Sequence, residues 1–418
     1  MDGPDDDPRR AVTPPLVLID PPRAPFWPLA ATRPVADLLA GTRSFRARWS
    51  QRHGPLGALL CDRRVVGCAF RSGDPPTLNA WPDPADGYRI AVSAWAPPPE
   101  WAFGDEPVMY LCEGAPVGWR LDAPVARELA GSPAEAGAAR EALAGLGLAT
   151  VDAGGSSLTS IWSLVDHNAG ILATDASDFA GAAFEPASPA AVIGEPPRAA
   201  AGVEVGAFSV LDSSEGPILL DRDVKVGAHA ALEGPLYVGP QSAILGGHVG
   251  GGSSIGPRCK VRGEVELAVF QGFANKAHDG FLGHSFLGEW VNLGAGTVNS
   301  DLKNTYGSVR VEGPEGRVDT GLLKVGAFMG DHVKTGIGSL LTTGVRLGVA
   351  THFFGGRSVS PAWLPDFSWF DGVERRPVRF DDFRDAASIA MARREQRMEA
   401  GEEAILRALA ACPASPGE

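Results

Sequence analysis

Leu220-Asp-Arg-Asp-Val-Lys-Val226-Gly-Ala-His-Ala-Ala-Leu232-Glu-Gly-Pro-Leu-Tyr-Val238-Gly-Pro-Gln-Ser-Ala-Ile244 places an aliphatic side chain at every sixth position, usually with a small or acidic residue next. A period of six fits neither a 3.6-residue helix nor a two-residue strand. The phase resumes at Ile255-Gly256 and Val261, at Leu287-Gly288 and Leu293-Gly294, and from Val325-Gly326 through Ile337-Gly338. Fixed-period self-similarity marks a solenoid, and hexapeptide repeats mark a parallel β-helix. Each step buries one aliphatic residue and turns a corner on a small one, so neighbouring coils must stack to close the core. A Gly-rich antiparallel sandwich would need the same spacing by coincidence along the whole run.

Two stretches interrupt the repeat, Phe270–Glu289 and Asp301–Leu322, and excursions from a solenoid build binding surface. The tail, about Asp381–Ala411, is rich in Ala, Arg, Glu, Met and Leu, with Pro413 just past it, and reads as a helix that caps the solenoid. Upstream the pattern differs. Leu16-Val17-Leu18-Ile19 reads as a buried strand, and Pro34, Val35, Leu38, Leu39, Phe45 and Trp49 read as a helix ending near His53-Gly54. Further strands at Ile90–Ala94 and Val108–Cys112 and a helix over Pro133–Leu146 predict an α/β, Rossmann-like domain. The expected organisation is an α/β domain over 15–183, a Pro/Ala/Glu-rich linker over 184–200, a β-helix over 201–370 and a C-terminal helix over 380–412.

Composition narrows the function classes. The 418 residues exceed one usual domain, and a formal net charge of −13 disfavours a phosphate-backbone binder, so no nucleic-acid partner is expected. Five scattered cysteines without a CxxC pair argue against a disulfide framework or zinc knuckle. No apolar run is long enough for a membrane span, and the acidic start is unlike a signal peptide, so a cytoplasmic protein is expected.

The block Asn275-Lys-Ala-His-Asp-Gly-Phe-Leu-Gly-His-Ser-Phe-Leu-Gly-Glu-Trp-Val-Asn-Leu-Gly-Ala-Gly-Thr297 resembles the active-site segment of the bifunctional N-acetylglucosamine-1-phosphate uridyltransferase/glucosamine-1-phosphate acetyltransferase family. The matching pieces are Lys276-Ala277-His278, Phe281-Leu282-Gly283 and Val291–Thr297, with one glycine missing before the histidine. The resemblance implies a left-handed β-helix, a homotrimer, acetyl-CoA as cosubstrate and an amino sugar or sugar phosphate as acceptor. It puts His278 at the general-base position, Asn292 at a sugar contact and the Ala295 amide near the acyl thioester. Lys276 and Phe281 fall in the substrate segment, and Asn299 and Lys303 in a loop that supplies further substrate contacts.

The chemistry of these residue types agrees. An amine must lose a proton to attack a thioester, and imidazole can take it near neutral pH when a second group fixes its tautomer. Glu264 or Glu266 can be that group. The Ala295 N–H, in a Gly-Ala-Gly turn, can stabilise an oxyanion. Two departures stand against this: Glu266 replaces the family's phosphate-clamping lysine, and Phe281 its sugar-contacting tyrosine. His278 also reads as an ordinary solvated loop histidine.

Over the first half, Pro28-Leu29 and Thr32-Arg33-Pro34-Val35-Ala36-Asp37-Leu38 resemble a variant nucleotidyltransferase-like domain fused to such solenoids. A Gly-rich phosphate cradle and its lysine are missing, leaving Arg23 and Arg33 as candidate phosphate cations and Glu113 as a candidate magnesium ligand. Asn168 and Asp175 are alternative polar candidates, and His332 reads either as lining a lower part of the cleft or as a residue on a coil face. The leading function is a sugar-nucleotide biosynthetic transferase, with acyl transfer favoured over nucleotidyl transfer. A noncatalytic trimeric scaffold or nucleotide-sugar-binding regulator is the alternative.

Overall fold

The structure, a computed structural model, describes residues 13–68, 77–354 and 358–412. The acidic start and Pro413 lie outside the described residues. The chain forms two compact units, Met1–Pro21 with Arg46–Arg63 and Gly73–Ser157, and Pro22–Phe45 with Arg64–Ser72 and Leu158–Glu418.

In the first unit Leu16–Ile19 is a strand with all four side chains buried, as a continuous apolar run in the middle of a sheet requires. It pairs in parallel with Leu56–Leu60 on one side and Tyr88–Val92 on the other, within a seven-stranded mixed sheet. Ala115–Leu121 runs antiparallel to Tyr88–Val92 and to Val108–Cys112. Two short helices, Ala123–Ala130 and Ala136–Ala144, bury Ala126, Leu129, Ala139 and Leu143 in the core that holds Val17, Ile19 and Ile90. Asp122 caps the first by accepting the Val125 N–H at 3.1 Å. This is a Rossmann-like α/β unit.

The helix expected from Pro34 is shorter than its spacing suggested. Val35–Asp37 is one 3-10 turn and a Leu39–Ala40/Arg43–Ser44 hairpin follows, so the helix occupies only Phe45–His53. Gly41, with φ of 64°, reverses the chain where a helix would have continued. The segment Pro22–Phe45 belongs to the second unit.

That unit is strand-rich and built from parallel rows. Leu220, Val238, Ile255, Phe270, Leu287, Met329, Leu347 and Leu364 are successive register partners along one row. Val226, Ile244, Val261 and Lys276 follow one another in a second, and Leu211, Leu232, Val249, Val265 and Leu282 in a third. Steps of six residues thus carry the chain from row to row, and the aliphatic members form one continuous core. Downstream the phase differs from the sequence reading: Val325 is buried, but Ile337 is 81% exposed. The buried series runs Met329, Thr335, Leu341, Leu347 and Phe353. The excursion before it resets the count.

Two further expectations change. Phe270–Glu289 is no excursion, since Val269–Phe270, Asn275–Lys276, Phe281–Gly283 and Phe286–Leu287 are row strands. Within 184–200, Ala191–Ile193 pairs with Val210–Asp212 and Arg198–Ala199 with Leu219–Leu220, so this stretch also joins the rows. Asp301–Leu322 does leave them, forming a hairpin of Arg310–Gly313 with Gly316–Asp319. The tail is two helices, Phe380–Ala392 and Ala400–Ala411, packing Phe383, Ala387 and Leu406 with Val349, Ala350, Phe367 and Trp27.

Candidate functional site

Asn275–Lys276 alternates a half-buried Asn275 with a buried Lys276, because the strand points one side chain out and the next in. Lys276 therefore occupies the inward place that Val261 fills one layer above. The residue is 2% exposed, and its ammonium donates to the carbonyls of Arg262 at 2.7 Å, His278 at 3.3 Å and Gly280 at 2.7 Å. Burial pushes its pKa down to about 8, with Asp279 and Glu264 acting the other way. Lys276 ties down the corner that carries His278 rather than reaching outward.

His278 is exposed on that corner. Glu264 and Glu266 lie on the preceding strand, opposite Phe281 and Gly283, and among the described residues neither bonds to the imidazole. Asp279 pairs instead with Arg262 at 3.0 Å. The next layer below is the Gly294-Ala295-Gly296 corner: Gly296 N–H donates to the Asp279 carbonyl at 3.0 Å, and Gly338 N–H to the Ala295 carbonyl at 2.7 Å. No hydrogen bond to the Ala295 N–H is found among the described residues. His278 and this amide thus sit on neighbouring layers of one corner, a strand spacing of about 4.8 Å apart.

Asn292 accepts the Asn275 side-chain N–H at 2.8 Å and bridges Asn275 and Lys334 along the strands. The Phe281 ring lies over Gly283, where an added Cβ would meet Cζ at 2.5 Å. Asn299 is buried and clasps the Gly283 peptide, accepting its N–H at 2.9 Å and donating to its carbonyl at 3.0 Å. Lys303 donates to the Ser308 carbonyl at 2.7 Å and closes its own loop. The corner thus places His278 and Ala295 on neighbouring layers, with Asn292 on the strand leading into it, while Lys276, Asn299 and Lys303 bond to backbone.

The candidates of the first half are dispersed. Arg33 is buried, 2.5 Å from Asp331 and 3.1 Å from Glu289. Burial opposes its charge, but the two carboxylates outweigh this and hold its pKa raised. Thr32 adds a hydrogen bond to Asp331 at 2.6 Å. Arg33 is a strut between Pro22–Phe45 and the rows. Arg23 donates to the Ala31 carbonyl at 3.3 Å. Arg346, fully buried, donates to the Trp27 carbonyl and packs 4.8 Å from the centre of its ring. Asn168 accepts the Gly41 N–H at 2.7 Å and donates to Gly252, and Asp175 accepts the Thr42 N–H at 2.8 Å, so both anchor the hairpin.

Glu113 and Gly114, with φ of 52° and 79°, form the two-residue turn of the hairpin Val108–Cys112/Ala115–Leu121. No group of three His, Cys, Asp or Glu side chains able to hold a metal occurs among the described residues. His332 is not on an open face. It is 3% exposed, with Phe383 edge-on at 5.2 Å and Glu402 at 3.7 Å, under the C-terminal helices.

Sequence reasoning missed a dyad. His284 Nδ1 lies 2.8 Å from Asp301 Oδ2. Burial pushes Asp301 up, but the hydrogen bond and charge of His284 outweigh it and leave its pKa lowered. The two residues are 17 apart, one layer of this region, and that spacing was the available signal.

Comparison with known proteins now has a geometry to meet. No family model matches the chain. A bifunctional sugar-1-phosphate nucleotidylyltransferase/acetyltransferase of Sulfurisphaera tokodaii is 34% identical over 97 residues, 23% of this chain and 24% of that protein. The bifunctional protein GlmU of Methanocaldococcus jannaschii is 31% identical over 116 residues, 28% of this chain and 26% of its own length. That of Gloeobacter violaceus is 32% identical over 143 residues, 33% of this chain and 25% of its own length. The chain is similar to the GlmU-like family. It spans about a quarter of the length of these GlmU-like relatives. No helix among the described residues is long and apolar enough to cross a membrane.

Proposed function

We propose that the chain is a transferase of sugar-nucleotide biosynthesis that moves an acyl group from acetyl-CoA to an amino sugar or its phosphate. The strand rows are read as a left-handed β-helix of hexapeptide repeats, assembled as a cytoplasmic homotrimer. The observation that carries the reading is the corner where the exposed His278 lies one layer from Ala295, whose N–H has no hydrogen bond among the described residues, with Asn292 on the strand leading into that layer.

His278 takes a proton from the acceptor amine as its nitrogen attacks the thioester carbonyl. The Ala295 N–H stabilises the oxygen that gains charge. As that intermediate collapses, the C–S bond breaks, the amide C–N bond remains and the thiolate receives the proton. Asn292 offers a donor and an acceptor to sugar hydroxyls.

Nucleotidyl transfer by the first half is weaker as a reading. A triphosphate and its leaving pyrophosphate need fixed cations and N–H groups, and Arg33 is already committed to two carboxylates. The rival scaffold or nucleotide-sugar regulator draws support from the absence of a carboxylate on the His278 ring among the described residues. Acetyl-CoA-dependent release of free thiol with a panel of amino sugars and their 1-phosphates separates the two. Release that requires an acceptor supports the transferase, and none with any acceptor supports the scaffold.

A further inference from the structure

His284 and Asp301 stand apart from the His278 corner. His278 precedes the strand Phe281–Gly283 and His284 follows it. Three strand residues at about 3.3 Å each put roughly 10 Å between the two imidazoles. They cannot share one proton, and Asp301 is not an orienting group for His278.

The pair has the geometry of a base with its orienter. His284 Nδ1 lies 2.8 Å from Asp301 Oδ2, and the side chains are 15% and 13% exposed. Burial pushes Asp301 up, but the hydrogen bond and charge of His284, with Lys324 adding to them, hold it below its ordinary value and keep it ionised at pH 7. An ionised carboxylate only accepts, so in the neutral ring Nδ1 carries the proton and Nε2 presents its lone pair. Nothing among the described residues bonds Nε2. It is not enclosed, as the unpartnered Nε2 of His332 and of His352 are, so it opens to solvent.

Closing the fold does not require this pair. Val325 N–H donates to the Asp301 carbonyl at 2.8 Å and Gly326 N–H to the His284 carbonyl at 2.9 Å, so backbone bonds already fasten both residues. The imidazole adds orientation to a site that is held without it.

Two such centres suit different acceptors. An amine attacks with its own lone pair, and the proton it then sheds can pass to an unoriented imidazole. A hydroxyl must lose its proton as it attacks. A carboxylate on Nδ1 helps there by fixing the tautomer and stabilising the imidazolium that forms, as it does for the serine hydroxyl of a Ser-His-Asp triad.

We propose that His284, positioned by Asp301, is a second proton-accepting centre that serves a sugar hydroxyl, so that the chain forms acyl esters as well as amides. This rests on the acyl-transfer reading for its donor, acetyl-CoA, and on the dyad for its chemistry. Nε2 takes the hydroxyl proton as the oxygen attacks the thioester carbonyl. The intermediate then collapses: the C–S bond breaks, the new C–O ester bond remains, and the imidazolium returns its proton to the thiolate.

The test uses the full chain, acetyl-CoA and an N-acetylhexosamine, which has hydroxyls and no amine. The ester is identified by mass and by its cleavage in hydroxylamine, which leaves amides intact. Wild type should form it. His284→Asn keeps a side-chain N–H₂ for Asp301 and has no Nε2. It should lose about 10²–10⁴-fold in ester formation, with its melting temperature nearly unchanged and its amide formation with a hexosamine within a few fold of wild type. Asp301→Asn, read the same way, serves if His284→Asn does not fold. His278→Ala should still form the ester. Amide without ester from wild type sinks this centre alone, and neither product sinks the transferase reading with it. An unchanged ester rate in His284→Asn, or loss of ester and amide together in His278→Ala, also overturns the second centre. Thiol release that depends on His284 but needs no sugar would show that water is the acceptor, and overturns the sugar-hydroxyl assignment. Ester that depends on His284, with no amide from any hexosamine, would instead sink the His278 reading and leave the dyad standing.

Discussion

Replacing Lys276 by Met keeps the length and apolar stem of the side chain and removes the ammonium from an inward row position. Three backbone carbonyls lose their donor. A hydrogen bond to a charged group contributes about 1.5–3 kcal/mol net, so three contribute about 4.5–9 kcal/mol. Against this stands the cost of holding a charge at 2% exposure. The fall from 10.5 to about 8 sets that cost at about 3–4 kcal/mol, at about 1.4 kcal/mol per unit. Lys276→Met is therefore expected to lose about 1–5 kcal/mol at pH 7. The sign of the pH dependence follows from the depressed lysine. Between about pH 8 and 10.5 the unfolded chain holds a proton that the folded chain has released, so wild-type stability relative to the variant rises with pH through that window. Urea unfolding at pH 7 and near pH 10, with midpoint and slope fitted separately, measures both effects. A variant as stable as wild type at pH 7, with a difference that does not grow with pH, would refute the corner-tie role and return Lys276 to the substrate-contact role implied by the family resemblance.

Other expectations follow from burial and pairing. Arg33→Met leaves Asp331 and Glu289 without their shared cation and should cost about 3–5 kcal/mol in chemical denaturation. Pyrophosphate release from nucleoside triphosphates with sugar 1-phosphates should meanwhile stay at background in wild type; robust turnover there would contradict the strut assignment. Ile337→Ser, at an 81% exposed position, should change stability by less than about 0.5 kcal/mol, whereas Leu341→Ala should cost about 2–5 kcal/mol. The reverse order in a thermal melt would restore the phase read from Val325.

Much of the row architecture was legible because one inward aliphatic per six residues is a strong constraint, and Leu220 through Ile244 keep it without a break. The reading slipped where polar residues take the inward place. Lys276, Asn299 and Thr335 sit where an aliphatic was expected, each satisfied by hydrogen bonds that only the stacked layers provide. Hence Phe270–Glu289 read as an excursion although it is made of row strands. In the first unit Leu16–Ile19 was legible from its unbroken apolar run. Pro34–Trp49 was not, because its helical spacing crosses a hairpin held by the distant Asn168 and Asp175. The residues of the candidate corner could be picked by motif, but which of them point outward depended on strand register. Arg33 shows the same limit: a cation on a loop reads as available for phosphate until the fold brings Asp331 to it, 298 residues along the chain.

The central claim is that the His278 corner performs acyl transfer, and free-thiol release from acetyl-CoA with an amino-sugar phosphate, compared between wild type and His278→Ala, tests it most directly. The account predicts acceptor-dependent release by wild type and a loss of about 10²–10⁴-fold in His278→Ala, with the melting temperature nearly unchanged because His278 is exposed. Release by His278→Ala within a few fold of wild type would contradict it.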